Sequence, residues 1–591
     1  MKNFRKILFI VAFIVISAVL PCIMGNVNAV AYQSVIAEEI QDNKIVNSSS
    51  NDDYLFDPTK TYITSLQDSY LYQKSRTLTN CYAYAIEKED EVKSYQPGDF
   101  SNNTYDLETV TVAELADIIK KDLECLGKQN VVISTSCPNV NTSNRKIICV
   151  RKGYNPTINI YDYHLMKCNN GLWYHKPGST SILQYKYAPS SYRDWINEYY
   201  DDIAKGCYKT DMVYSGDIYF ISYYPENYNA ITDTCDITTY DQLANDMRYN
   251  TAANFKLKLM ASIVAPDEVI VESGVSRTVI WEYPKEFYGS FNGNGFRIEN
   301  LKYTATFADL DENIVETKGF VNINYGTISN VAFGDIEIKI NDDVSETYYT
   351  EYNIGIVACV NEGTIEDCMI GTTVIDGEIH MSSTIETNIG GVCGINNGTI
   401  DDCMVSYTYI TGFDNLGNIA GCNYGMIKNC LINNSELKLY YGSVGGIAGY
   451  NEGYIVDNSI SFCVISCLND YSNNVDGTCY QYADEPINAY AGSFVGWNAD
   501  GEIKSCTTVG CTVKCNSSSI TGEKGRSFAP EIGRMCGRAA EEHLNANKNI
   551  DTIVDKGNLH IEKWKGGFLN LVTYSWNQTQ FCGDRDIGRI L

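Results

Sequence analysis

The stretch GGVCGINNGTIDDCMV, Gly390 to Val405, decides the fold. It places two short apolar runs on either side of an Asn-x-Gly turn made by Asn396, Asn397 and Gly398, and it does not stand alone. The same pattern recurs as GFVNINYGTISNVAF from Gly319, GIVACVNEGTIEDCMI from Gly355, GNIAGCNYGMIKNCLI from Gly417, GGIAGYNEGYIVDNSI from Gly445 and SFVGWNADGEIKSCTT from Ser493. The turn asparagines Asn324, Asn361, Asn396, Asn423 and Asn451 are spaced by 37, 35, 27 and 28 residues, so the unit is constant while the connections vary. A strand-turn-strand unit this short cannot bury its own apolar face. Neighbouring units must therefore stack as rungs of a solenoid, ~4.8 Å apart.

Stacking also accounts for the cysteines. The fifth residue after each turn glycine is Val331, Cys368, Cys403, Cys430, Asn458 or Cys506, which forms one inward-facing column. Cysteine acts there as a small buried hydrophobe. Disulfides within the column are disfavoured because equivalent residues in successive rungs point the same way. These segments resemble the GLUG repeat of large bacterial surface proteins, and FYGSFNGNGFRIENLKY from Phe287 resembles the coil that precedes such repeats. The resemblance covers about Tyr240 to Val513. It implies a right-handed parallel β-helix, taken here as 240–517, displayed at a bacterial surface and without enzymatic activity of its own. Residues 518–591 are expected to be a C-terminal cap or accessory segment, with APEIGRMCGRAAEEHL as a helix covering the open sheet edge.

The totals set the context. At 591 residues the chain is too long for one core. A net charge of −28 with 20% charged residues and 45 tyrosines describes an acidic, folded protein. No basic stripe follows the first few residues, which excludes a nucleic-acid partner. The N-terminus has three early basic residues, an apolar run from Ile7 to Leu20, and small residues allowing cleavage after Ala29 or Ala31. That is a secretory signal over 1–31. This run of 14 residues falls short of the ~20 a membrane anchor needs. No transmembrane segment is expected in the mature chain, which is placed outside the cell or on its surface. Residues 32–57 are polar and patternless, as in a linker.

Between 58 and 229 the texture is α+β. TVAELADIIKKDLECLG has helical spacing, while RKIICV and GDIYFISYY alternate as strands. Cys81 opens a helix that Thr79 or Asn80 can cap, and a helix N-terminus favours the thiolate, lowering the thiol pKa from ~8.5. In YDYHLMKCNNGLWYHKPG, two strands flank an Asn-Asn-Gly turn. A loop at Asn169-Asn170 sets His164 directly across from His175, a loop at Asn170-Gly171 makes them diagonal neighbours on one face, and a three-residue loop separates them. Thiolate, imidazole and a third polar group are the parts of nucleophilic cysteine catalysis.

This order, a helix-borne Cys followed by a strand His and a polar group past a hairpin, resembles the papain-like fold and especially the NlpC-type cell-wall peptidases. The resemblance implies Cys81 as nucleophile, His164 as general base and acid, and His175 as the orienting residue, with Asp162 competing for that last role. NCYAYA together with HKPG also resembles a group of bacterial secreted proteins of this broad class. The sequence departs from the pattern where Asn80 replaces the usual Asp, and where Gln73, eight residues back, misses papain's oxyanion spacing. Each residue also has a plain structural explanation, Cys81 as core filler and His175 as a polar edge beside Trp173. A Cys/His/His zinc site lacks a fourth ligand, so no metal or other cofactor is expected. The expected activity is hydrolysis of peptide-type amides in peptide, peptidoglycan or an exogenous or host protein, with carbohydrate as a further partner of the β-helix. The alternative is a non-catalytic adhesin or structural stalk.

Overall fold

A computed structural model of the chain describes residues 79–88, 93–139, 144–156, 159–169, 171–176, 183–185, 189–191, 194–200, 207–270, 276–278, 281, 286–303, 314–339, 349–376, 386–467, 489–515, 531–539, 544–555, 562–564, 571–573 and 587–590. All of these belong to the compact unit Leu55–Leu591, and the signal and linker expectations fall outside them. Among the described residues no helix is long and apolar enough to cross a membrane.

The repeats fold as stacked parallel strands, a β-helix-like solenoid. Each rung gives one strand to a 9-stranded sheet, one to an 11-stranded sheet and the rest to a 19-stranded sheet. The rung of the opening stretch does so through Cys393–Asn396, Thr399–Asp401 and Met404–Gly417. Equivalent residues pair in register, Asn361 with Asn396 and Asn396 with Asn423. One continuous apolar core runs from Cys235 to Ala539. The expected inner column is present, with Val331, Cys368, Cys403, Cys430, Asn458 and Cys506 all buried. Every cysteine whose side chain is described carries a free thiol.

The turn asparagines are not solvent-facing turn formers. Their side chains stack inside the solenoid, each Nδ2 donating to Oδ1 of the next: Asn324 to Asn361 at 2.8 Å, Asn361 to Asn396 at 2.8 Å, Asn396 to Asn423 at 2.7 Å, Asn423 to Asn451 at 2.7 Å and Asn451 to Asn498 at 2.6 Å. A buried amide is costly unless hydrogen-bonded, and identical amides one rung apart satisfy one another. The ladder begins where the rung below carries Phe287, and there Oδ1 of Asn324 has no donor.

The helix expected in APEIGRMCGRAAEEHL is not formed in its described part. Glu531–Ile532, Cys536–Ala539 and Leu544–Asn545 are strands that continue the three sheets. Cys536 takes the place of Val495 one rung on, and Ile587–Ile590 stacks on it in turn. The apolar residues of this segment also fit a helical period, but its Met-Cys-Gly core repeats the rung pattern.

Ahead of the solenoid, an antiparallel sheet is built from β1 (Gln129–Ser134), β2 (Lys146–Asn155), β3 (Ile160–Asn169), β4 (Leu172–His175), β5 (Leu183–Tyr185), β6 (Asp194–Tyr200), β7 (Cys207–Ser215) and β8 (Tyr219–Tyr224). Its order is β1-β8-β2-β3-β4-β5, with β7 joining β2 and β6. Helices α1 (Cys81–Ala85) and α2 (Val112–Cys125) cover one face. Strand alternation divides the core. Ile148, Val150, Tyr163, Leu165 and Ile221 pack under the helices, whereas Ile147, Cys149, Met166 and Phe220 join Trp173, Trp195 and Tyr214 on the other face.

The two parts are joined tightly. Helix α3 (Tyr240–Tyr249), capped by Thr239, sends Leu243 and Met247 into the solenoid core and covers its first rung. Asn144, in the turn before β2, donates its backbone N–H to Asn254 O at 2.8 Å, donates Nδ2 to Asp233 O at 2.8 Å, and accepts Lys256 N at 2.8 Å. A turn of the antiparallel sheet is thus bonded into the solenoid's first strands.

Candidate functional site

Asn80, not Thr79, caps α1. Its side chain accepts Ala83 N at 3.0 Å while its Nδ2 donates to Tyr95 O at 2.7 Å. All five residues of the helix are buried. Tyr82 donates to Asp122 at 2.5 Å, and the same carboxylate accepts Gly98 N and Ser101 N at 2.6 and 2.8 Å, which ties α1, α2 and the intervening loop together.

The hairpin takes the second of the two registers open to it. Cys168 pairs with Trp173 and Asn169 with Leu172, which leaves positions 170 and 171 as the loop, with Gly171 at φ 76°. His164 and His175 are then diagonal neighbours on one face, and Nε2 of His164 lies 2.8 Å from Nδ1 of His175. The rings meet edge to face, and the His164 ring also contacts Tyr214 and Trp195. Burial, reinforced by His175, holds His164 well below the ordinary imidazole value, and burial pushes His175 down to about 3. Both imidazoles are neutral at physiological pH, and one donates to the other.

Asp162 does not take the orienting position. Its Oδ2 accepts the Tyr214 hydroxyl at 2.7 Å and its Oδ1 accepts Tyr163 N at 2.8 Å, while burial raises its carboxyl pKa.

Cys81 lies at the backbone of β3 on either side of His164. Its Sγ donates to Tyr163 O at 3.9 Å and accepts the Leu165 N–H. The thiol makes no hydrogen bond to either imidazole. It packs with Tyr163 and Leu165 in the helix-covered layer, and the His164 ring stands with Trp195 and Tyr214 in the other. The expected lowering of the thiol pKa is overturned. Burial, with Asp162 adding to it, pushes the thiol up to about 12 against the opposing Leu165 N–H, Lys176 and Tyr82 N–H. A helix of five residues offers too small a dipole to offset full desolvation.

The sequence reading gave no role to Lys176. It is completely buried, and its Nζ donates to Thr79 O at 2.7 Å, two residues before Cys81. Its position directly after His175 was the available signal. Among the described residues no group of three or more His, Cys, Asp or Glu stands together as a metal site.

No family model matches the chain, and no curated protein matches it in sequence. Among solved structures an IgA1 protease aligns with a TM-score of 0.25 and 12% identity, over 66% of this chain and 31% of that one. The chain therefore spans about a third of that protein's length.

Proposed function

We propose that the chain is a secreted or surface-displayed bacterial cysteine peptidase or amidase. Its papain-like domain hydrolyses peptide-type amides through Cys81, His164 and His175, and its GLUG-type right-handed β-helix projects that domain or binds a surface. The observation that supports this reading is that Cys81 and His175 both approach His164, the thiol at its backbone and the imidazole at its ring. The thiol sits on the two peptide groups that flank His164, and His175 holds the His164 ring at 2.8 Å. Peptide, peptidoglycan or a host or other exogenous protein supplies the amide.

The resting site is a neutral thiol at the backbone of β3 and a pair of neutral imidazoles in the other layer. The reaction requires Sγ to leave Tyr163 O and the His164 ring to turn toward it from the other layer; Sγ then bonds to the amide carbonyl carbon while its proton passes to His164. The proton then goes to the leaving amine as the C–N bond breaks, and water hydrolyses the thioester. The test is a panel of peptides and muropeptides offered to wild type, C81A and H164A, with circular dichroism confirming the fold. Hydrolysis by wild type alone supports the reading. Equal hydrolysis by C81A, or none by any form, overturns it.

The second reading is the non-catalytic adhesin. Sulfur and imidazole occupy different packing layers, as in a domain whose Cys and His serve only the core. Carbohydrate or protein binding by all three variants alike, without hydrolysis, would be its signature.

A further inference from the structure

We propose that Lys176 is the charge-compensating and positioning residue of the Cys81 site. It fixes the start of the nucleophile's helix against the end of the hairpin that bears His175, with its Nζ on Thr79 O at 2.7 Å, two residues before Cys81. The proposal rests on Cys81 being the nucleophile.

Three observations converge on it. Lys176 is 0% exposed, which is rare for lysine, and a buried ammonium must be hydrogen-bonded to be tolerated. Its Nζ donates to Thr79 O at 2.7 Å, so the end of the hairpin is bonded to the residue preceding the Asn80 cap. Lys176 also follows His175 directly, so one strand end delivers both the orienting imidazole and the charge.

The groups around the sulfur show why a cation is needed there. From β3 come Asp162, which disfavours the thiolate, and the Tyr163 hydroxyl, while the imidazoles of His164 and His175 stand in the other layer. The segment before α2 brings Tyr105. Favouring the anion are the N–H groups of Leu165 and Tyr82 and the ammonium of Lys176. Lys176 is the basic side chain that favours the thiolate at Cys81, and its Nζ is fixed on Thr79 O. Lys176 therefore acts on the reaction through Cys81.

The experiment reads alkylation of individual cysteines by mass spectrometry, with the exposed Cys125 of the same molecule as reference. Removing an adjacent opposite charge shifts a pKa by about 1–3 units. The thiolate population falls accordingly, partly offset by the greater nucleophilicity of a more basic sulfur. K176M should therefore react with iodoacetamide about tenfold more slowly at Cys81 between about pH 8 and 10, with Cys125 unchanged. K176R should restore the rate to within about threefold, which a merely structural lysine would not predict. If K176M does not fold, wild type alone decides. An ammonium beside the sulfur makes anionic iodoacetate gain on neutral iodoacetamide at Cys81 relative to Cys125.

A K176M profile matching wild type, an unchanged reagent ratio, or a Cys81 that resists labelling throughout this range overturns the proposal. Labelling needs no turnover. An altered profile without peptide hydrolysis would remove the hydrolase and leave Lys176 its role, whereas hydrolysis with an unaltered profile would remove Lys176 alone.

Discussion

Nε2 of His164 and Nδ1 of His175 share one hydrogen bond at 2.8 Å, inside a layer where both rings are almost wholly buried. One proton occupies that bond, so charging the accepting ring sets a donor against a donor, whereas charging the donating ring adds a proton at its far nitrogen. Their pKa values are held down by burial, His175 to about 3.

This pair makes stability sensitive to acid. The unfolded chain takes up protons on both histidines near the ordinary value of about 6.5, and the folded chain does not. Their contribution is intact above about pH 6.5 and is lost as pH falls below it, at about 1.4 kcal/mol per pH unit for each histidine. For His175 the loss continues until pH reaches about 3. Urea midpoints from about pH 7.5 to 4.5 should fall more steeply for wild type than for H164F/H175F. Parallel curves would show that the rings are solvated and already charged.

Glu87, just past α1, accepts Lys146 Nζ at 2.5 and 2.6 Å, and both side chains are nearly buried. Burial alone would raise the Glu87 carboxyl, but Lys146, Lys167 and Lys128 together hold it below its ordinary value. Its contribution is present above the ordinary carboxylate pKa and lost as pH falls below it. E87Q leaves a buried ammonium over Tyr249 and Phe255 and should cost about 3–5 kcal/mol. E87Q/K146M should recover most of it. A double mutant no more stable than the single would mean that the pair is not coupled through desolvation.

The asparagine ladder predicts unequal effects from one substitution. N396A removes a middle member and leaves Nδ2 of Asn361 and Oδ1 of Asn423 without their partners in the ladder. N324A removes the first member, whose Oδ1 already lacks a donor, and leaves only Oδ1 of Asn361. With about 1–3 kcal/mol for each buried group left unpaired, N396A should be the more destabilising by roughly that amount. Denaturant titration of the two variants checks it, and equal midpoints would mean that water replaces the lost amides.

Much of this was legible in the chain itself, and the limits have physical causes. The column from Val331 to Cys506 could be counted from the turn glycines because a strand's side-chain period does not change between rungs. The Asn-x-Gly signature reads as turn chemistry, since only the register reveals that the next Asn lies directly above and can receive the amide. Both two-residue loops put His164 and His175 on one face, so their meeting survived the choice between them. The state of Cys81 could not be foreseen in that way. A capped helix start suggests a thiolate, but the opposite outcome follows from complete burial and from Asp162, whose distance from residue 81 only tertiary structure sets. The helix expected at 529–544 failed for a related reason. Its apolar residues fit two periods, and stacking on the rung before it chose the strand.

The turn glycines carry the last prediction, and here the need for glycine is one of space. A Cβ on Gly398 would lie 2.1 Å from Gly363 O, and one on Gly425 would lie 2.1 Å from Gly398 O, because each turn rests on the turn beneath. Gly398 N donates to Asn361 O at 2.8 Å, so the chain cannot lift away without breaking that bond. Gly371, in the outer part of the same solenoid, has nothing within 4 Å of where its Cβ would be. G398A should therefore cost about 1–3 kcal/mol or more by overpacking against rigid backbone, and G371A should be near neutral or slightly stabilising. Thermal or urea unfolding of both variants decides the matter. A G398A protein as stable as G371A would mean that the rungs are not in the close contact the turn stack requires.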